Sequence, residues 1–350
     1  MVDAAVLSLA QPVPPLLNGC PICAATVGTL VRMRYIDQQC SHLPQAENPF
    51  TGLEILVCGS CGFGYATPAV DVARLERFYR HQYRAPGSVH ALGSSGPWRA
   101  RLDPRAVAQV LLAKLFRTFH TGESFLDIGP GQGASLDALA QVCPGLQASV
   151  IEPDESAAQW LRQRAGVQVI AQSLDPRKPC AGSPPGNTFE LILMSHVLEH
   201  VNGVDAVAWL MQVKPLLSDD GIMICEVPHC DLRQHAERRD NDAPHLGFFS
   251  QDSLARVFQQ AGLTVKFLET CGPTYADWWS NRCNGTTRAT PSAPRRWLVN
   301  TGKALLSCLP TKMADELVTR IRPERCAELL GSEELCYGGD RTCLRIVAAR

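Results

Sequence analysis

Between residues 124 and 270, short apolar runs alternate with stretches in which apolar residues recur every three or four positions. Runs of Val, Ile, Leu and Phe suit strands buried on both faces, and the wider spacing suits amphipathic helices. The pattern predicts strand 124–128 ("SFLDI"), helix 133–142, strand 147–151, helix 154–165 and a short strand 167–170. It continues with strand 189–195, helix 204–217, strand 221–227 and helix 250–261. Strands and helices alternating at this pitch predict an α/β fold, a parallel sheet with helices on both faces. The end of the chain breaks the alternation. "LTVKFLET" (263–270) and "CLRIVAAR" (343–350) read as strands without an equivalent crossover. They are expected to pair antiparallel at the sheet edge.

Ahead of this region, "DVARLERFYRHQYR" (71–84) reads as a short helix with Asp71 at its start. "PRAVAQVLLAKLFRTF" (104–119) reads as a helix opened by proline. The Gly-, Pro- and Ser-rich stretch 85–98 between them suggests a flexible joint or lid. The expected organisation is an arm over 1–18, a metal-binding module over 19–66, a linker and lid helix over 67–103, and a core over 104–270 completed by 341–350. Residues 271–340, with Trp278, Trp279 and Trp297, form a helical or irregular insertion between the last two strands. No internal repeat or coiled coil is visible.

Composition narrows the class. The 350 residues are 45% hydrophobic and 19% charged, which permits a sizeable core and argues against global disorder. No apolar run reaches the roughly 18 residues of a membrane span. The opening "MVDAAVLSLAQPVPP" lacks a basic start, so no signal peptide is expected, and the location is read as cytoplasmic. Fifteen cysteines in such a chain read as reduced thiols, with Cys143, Cys225 and Cys343 as small core residues. Residues 121–270 carry 10 basic and 19 acidic side chains, so this part is not expected to lie along a nucleic-acid backbone.

The stretch "SFLDIGPGQGASLDALA" (124–140) places three glycines between a strand and a helix. It fits the dinucleotide pattern G-x-G-x-x-G/A, but Asp127 would oppose a pyrophosphate and Pro130 removes a backbone N–H donor. There is no Gly-Lys-Ser/Thr, hence no P-loop. A carboxylate at this strand end suits a cationic ligand. Glu152, which ends the next strand about 20 residues on, suits ribose hydroxyls. A ribose, a cation and no phosphate describe S-adenosylmethionine.

"FLDIGPGQGASLDALA", "VIEPDESAAQWLR", "FELILMSHVLEHV", "GIMICEVPH" and "HLGFFSQDSLARVFQQAGL" together resemble the successive motifs of class I S-adenosylmethionine-dependent methyltransferases. The resemblance covers about 104–270 and the final strand. It implies a Rossmann-like sheet of seven strands ending in the antiparallel pair. It also implies that Gly129, Gly131 and Gly133 approach the methionine portion with Asp127 at the ammonium, and that Glu152 takes the ribose hydroxyls. Gln172 or Ser173 would stand near the adenine, and Ser195 and His196 would line the transfer cleft. Glu199 and His200 are read as structural residues opening the helix that follows.

Cys20-Pro-Ile-Cys23 and Cys58-Gly-Ser-Cys61 are two C-x-x-C units. Two such knuckles complete a tetrahedral zinc site, and four thiolates leave no open position, so a structural Zn²⁺ is expected. Two unrelated pairs or a redox C-x-x-C are the alternatives; Cys40 and His42 are spare donors. A zinc ribbon, then "RFYRHQYR", then a methyltransferase core is similar to a bacterial group acting on nucleotide-sugars, glycan precursors or specialised metabolites. Its sugar C-methyltransferases carry Tyr-His-Glu-His-x-x-Tyr-Phe-Ser. Here the run is "DAPHLGFFS" (242–250), without the Tyr and Glu.

The expected function is methyl transfer to an oxygen or carbon nucleophile of a small molecule. His245 and His229, both after the fifth core strand, are the candidate bases. Two arginine groups, Arg233, Arg238 and Arg239, and Arg74, Arg77, Arg80 and Arg84, are candidates to grip a diphosphate. The alternatives are an RNA base methyltransferase and a non-catalytic scaffold. No membrane partner is expected, and the sequence is silent on oligomeric state.

Overall fold

The computed structural model describes residues 19–26, 30–40, 43–85, 103–143, 145, 147–173, 188–232, 236, 239, 241–278 and 332–350. The expected arm 1–18, the joint at 86–98 and most of the insertion lie outside them, with Trp279, Trp297, His42, Arg233 and Arg238. Among the described residues, no helix is long and apolar enough to cross a membrane.

The core is a seven-stranded sheet. Four of its strands, β4 (Ser124–Ile128), β5 (Gln147–Ile151), β6 (Val167–Ala171) and β7 (Phe189–Ser195), fall within a residue of the positions the apolar runs predict. β8 (Leu217–Pro228) begins four residues early, and β10 (Thr264–Thr274) runs four residues past its expected end. β11 (Arg341–Ala349) closes the sheet, in the order β10-β11-β8-β7-β4-β5-β6. The first two pairings are antiparallel and the others parallel, as the missing crossover before β11 demands.

Helices cover both faces. α1 (Val72–His81) is capped by Asp71 and α2 (Pro104–Phe116) by Asp103. α3 (Ala134–Val142) follows the glycine turn, and α4 (Glu155–Arg162) is capped by Asp154. The stretch predicted as helix 204–217 is shorter. α5 (Ala206–Val213) gives way to a 3₁₀ turn at Lys214–Leu216, because Pro215 cannot donate to the preceding turn. α6 (Gln251–Gln260) opens with a capping box from Ser250 and Ser253.

A second, antiparallel sheet holds the cysteine pairs. It consists of β1 (Leu30–Arg34), β2 (Glu54–Cys58), β3 (Gly64–Thr67) and a two-residue strand β9 (Gly247–Phe248), in that order. β9 comes from the loop after β8, so the core completes the small sheet. Ser250 Oγ donates to Cys61 O at 2.6 Å, and Phe63 packs on Phe249 with ring centroids 5.4 Å apart. One apolar cluster runs from Cys20, Ile22 and Phe63 through Phe249 and Phe258 to Met194 and Cys225 of the large sheet. Burial of this shared surface joins the two sheets.

Candidate active site and cysteine centre

The four cysteines come together. Cys20 and Cys61 Sγ are 3.7 Å apart, Cys23 and Cys58 Sγ are 3.5 Å apart, and all four lie within 4.8 Å of one another. A tetrahedron with Zn–S bonds of about 2.3 Å has sulfur–sulfur edges of about 3.8 Å, so the donor set fits zinc closely. The hydrogen bond between Cys20 and Cys61 draws the Cys20 thiol down and pushes the Cys61 thiol up, as two sulfurs sharing one proton must. Cys40 is buried apart from this group, and burial pushes its thiol up to about 12.

The glycine turn lies at the carboxyl end of β4. Gly129, Gly131 and Gly133 all have positive φ, at 72°, 57° and 78°. A Cβ on Gly129 would stand 2.7 Å from Val197, and one on Gly131 would stand 2.7 Å from the Arg84 guanidinium. Only glycine allows both the dihedral and the close approach. Asp127 is buried, accepts a hydrogen bond from Ser135 Oγ, and has its carboxyl pushed up to about 7 by burial. Glu152 accepts from Gly131 N at 2.8 Å and Asp154 N at 2.9 Å, and its pKa too is raised by burial.

Three cavities meet here. The first, about 290 Å³, is lined by Gly129, Glu152 and Ser173 on the sheet side and by Tyr79, Tyr83 and Arg84 of the α1 region. The second, about 370 Å³, lies between the ends of β8 and β11 and the β9 loop, with His229, His245, Phe248, Tyr275 and Trp278 in its wall. The third, about 260 Å³, holds Asp127, Gly129, Pro130 and Ser135. His196 lines all three. Ser195 borders the first and third, and its Oγ accepts from Gln109 Nε2 at 2.9 Å. Of the two residues expected near an adenine, Ser173 reaches the first cavity, whereas Gln172 turns to Glu155 Oε2 at 2.9 Å.

His196 sits at φ 56° with Glu199 Oε1 3.1 Å from Nδ1 and Arg105 Nη1 2.7 Å from Nε2. Burial works against protonation of the ring, but hydrogen bonds to Cys343, Glu199 and Glu226 raise its pKa well above the ordinary histidine value, and Nδ1–H faces Glu199. Behind it Glu226, fully buried on β8, is gripped by Arg345 at 2.6 Å, Gln109 at 2.8 Å and Arg105 at 3.3 Å. Burial works against its ionisation, but Arg345, His196 and Arg105 hold its carboxyl well below the usual range.

The two candidate bases share the second cavity. His229 Nδ1 is 3.0 Å from Arg341 O, and its ring lies on Tyr275. His245 faces His200, ring centroids 5.1 Å apart. Glu199 and His200, expected as structural residues opening a helix, instead form a 3₁₀ turn (Leu198–His200), and His200 lines the first cavity. Sequence reasoning also missed Tyr79 and Tyr83 as cavity walls and gave Arg84 only as a candidate for a diphosphate; "RFYRHQYR" was the available signal. Of the arginines considered for a diphosphate, Arg239 is engaged by Asp242 at 3.0 Å and donates to Arg34 O at 2.6 Å, and Arg74 donates to Asn48 O at 2.8 Å. Both brace the cysteine module.

Residues 99–266 match the family model described as a methyltransferase domain. This central region is a methyltransferase domain. No curated protein matches the chain in sequence. Among solved structures, the chain is similar to coclaurine N-methyltransferase bound to N-methylheliamine and SAH, at 17% identity over 69% of this chain and 72% of that one, TM-score 0.40. It is also similar to the [4+2]-cyclase SpnF, at 14% identity over 71% and 81%, TM-score 0.41. A third is an O-methyltransferase family 2 protein from Planctomyces limnophilus in complex with apigenin, at 16% identity over 48% and 53%, TM-score 0.37.

Proposed function

We propose that this methyltransferase acts on a small molecule, a nucleotide-sugar, glycan precursor or specialised metabolite, at an oxygen or carbon nucleophile. The carrying observation is the second cavity. At about 370 Å³ it has the size of a small-molecule pocket, and it meets the cofactor side at His196. Its wall is built from β9, the ends of β8 and β11, Tyr275 and Trp278, which suits a ring or sugar more than a nucleic-acid strand.

When bound, S-adenosylmethionine supplies an activated methyl on a sulfonium. The chain's own part is positioning, which can lower such a barrier by roughly 7–11 kcal/mol. Gly129, Gly131 and Gly133 allow the methionine portion close to the backbone, with Asp127 facing its ammonium. Glu152 spends one lone pair of each oxygen on Gly131 and Asp154, and the remaining pairs suit two ribose hydroxyls. Ser173 stands at the adenine end, and Ser195 and His196 at the point of transfer. His245, beside His200, is placed to deal with the proton of a hydroxyl acceptor; His229 is the second candidate on the same wall. The cysteine centre holds a structural Zn²⁺, and with it the small sheet that contributes β9.

The test is incubation with S-adenosylmethionine and a panel of nucleotide-sugars, glycan precursors and hydroxylated metabolites, read by mass spectrometry. A gain of one methyl group on a panel member supports the reading. Methylation of RNA in place of every panel member, or calorimetry without S-adenosylmethionine binding, overturns it.

A further inference from the structure

Where the two larger cavities adjoin, Glu199, His200 and His245 each offer one ligand atom, all within 4.8 Å of one another. His200 lines the cofactor cavity and His245 the acceptor cavity, so the group stands on the boundary that a transferred methyl must cross. The three side chains come from two segments that are tied directly. Leu246 N donates to Glu199 O at 2.7 Å, His245 N donates to Asp242 O at 2.8 Å, and Tyr35 Oη donates to His245 O at 2.7 Å. Their separation is therefore held by backbone, as a preorganised ligand set requires.

The donor states suit a metal. Glu199 is 1% exposed; its Oε1 takes the Nδ1–H of His196, and its Oε2 is buried with no hydrogen-bond partner. A buried, unsatisfied carboxylate oxygen is costly unless something cationic meets it. His200 Nδ1 lies 3.4 Å from Pro244 O, a carbonyl that can only accept. That leaves the lone pair on Nε2. A histidine oriented by a backbone carbonyl, and a carboxylate oriented by a second histidine, are the outer-shell supports usual at metal sites.

We propose that Glu199, His200 and His245 bind a divalent cation distinct from the cysteine-bound zinc. Two imidazoles and one carboxylate suit Zn²⁺, Mn²⁺, Fe²⁺ or Co²⁺, and three protein ligands leave positions open on the acceptor side. The inference rests on the small-molecule reading of the second cavity and gives His245 a defined part in it. As a Lewis acid, the cation would lower the pKa of an acceptor hydroxyl, whose proton would pass to His229 on the same cavity wall. His245 is then a ligand and not a base, and oxygen nucleophiles are favoured over carbon.

The test is a Co²⁺ titration of the full-length, zinc-loaded protein in the absence of acceptor, followed by visible absorption. One further equivalent should bind with a ligand-field band and without the intense near-ultraviolet charge transfer of cobalt–thiolate bonds. Glu199→Gln and His245→Asn should each weaken it by more than the roughly 10–100-fold that loss of an outer-shell partner costs. His245→Asn, at a half-buried position, decides the matter if circular dichroism shows Glu199→Gln to be misfolded. Absence of the second equivalent, unchanged binding in His245→Asn, or a thiolate band alone overturns the proposal. The cobalt titration is read without acceptor, and the acceptor panel is run with and without added divalent cation, so failure of one reading is distinguishable from failure of the other.

Discussion

Replacing Glu226 by glutamine tests the electrostatic account of the interior. Glu226 on β8 and Arg345 on β11 are directly opposed across the sheet, both fully buried, with nitrogen and oxygen 2.6 Å apart. At an effective dielectric of about 20, their attraction is about 6 kcal/mol, most of it offset by the cost of removing both charges from water. The glutamine side chain keeps the shape and removes the charge. Arg345 then stays buried with Glu334, 3.7 Å away, as its nearest remaining carboxylate. The expected loss is about 3–5 kcal/mol, read as a lower urea midpoint at unchanged slope. Replacing the pair by apolar residues, Glu226→Leu with Arg345→Met, should recover much of that loss, because both fully buried charges go together and Arg105 and Glu334 remain paired at 3.8 Å. The folded pKa of Glu226 is depressed, so its contribution is complete above the unfolded value near 4.3 and disappears as pH falls through the lower folded value. The gap between wild type and Glu226→Gln should therefore be constant from about pH 5 to 8. A gap below about 1 kcal/mol, or a double variant as unstable as the single one, would refute the reasoning.

Cys58→Ser should release the cysteine-bound metal, which supplies roughly 10–16 kcal/mol in small zinc modules, and unfold the small sheet; elemental analysis and far-ultraviolet circular dichroism check both. Asp127 has a folded pKa raised to about 7, so its contribution is present below the unfolded value near 3.9 and is lost as pH rises through about 7. Asp127→Asn should thus make the cofactor-free protein more stable at pH 8 by up to a few kcal/mol, with little effect at pH 4, while calorimetry shows weaker S-adenosylmethionine binding. Wild-type affinity for S-adenosylmethionine should rise between pH 5.5 and 8 as Asp127 ionises; a flat profile would count against its place at the ammonium. Gly129→Ala meets both a positive φ and Val197 at 2.7 Å, and should weaken cofactor binding at least about tenfold by calorimetry.

The core strands were legible because burial on both faces imposes runs such as "FELILMS" that no solvent-exposed segment tolerates. The glycine turn after Asp127 was legible as a strand-to-helix turn because its residues are consecutive. The C-x-x-C units were legible for the same local reason, since each knuckle is closed within four residues. Pro215 shows where even local reasoning was read too loosely: a helix predicted through it ended at Val213.

What lay beyond reach were pairings between distant residues. β9 is two residues long and exists because β3, some 180 positions earlier, offers an edge; so short a strand has no periodicity to read. Glu199 looked like part of a helix start, and only the hydrogen bond of Leu246 to its carbonyl sets it beside His245. Arg345 looked like an ordinary strand residue until its neighbour proved to be Glu226. The sequence alone thus determined the elements, the glycine turn and the paired cysteines, whose physics acts over a few residues. The tertiary structure decided which side chains share a cavity and which buried charges neutralise one another. Those depend on distances in space that a linear pattern does not encode.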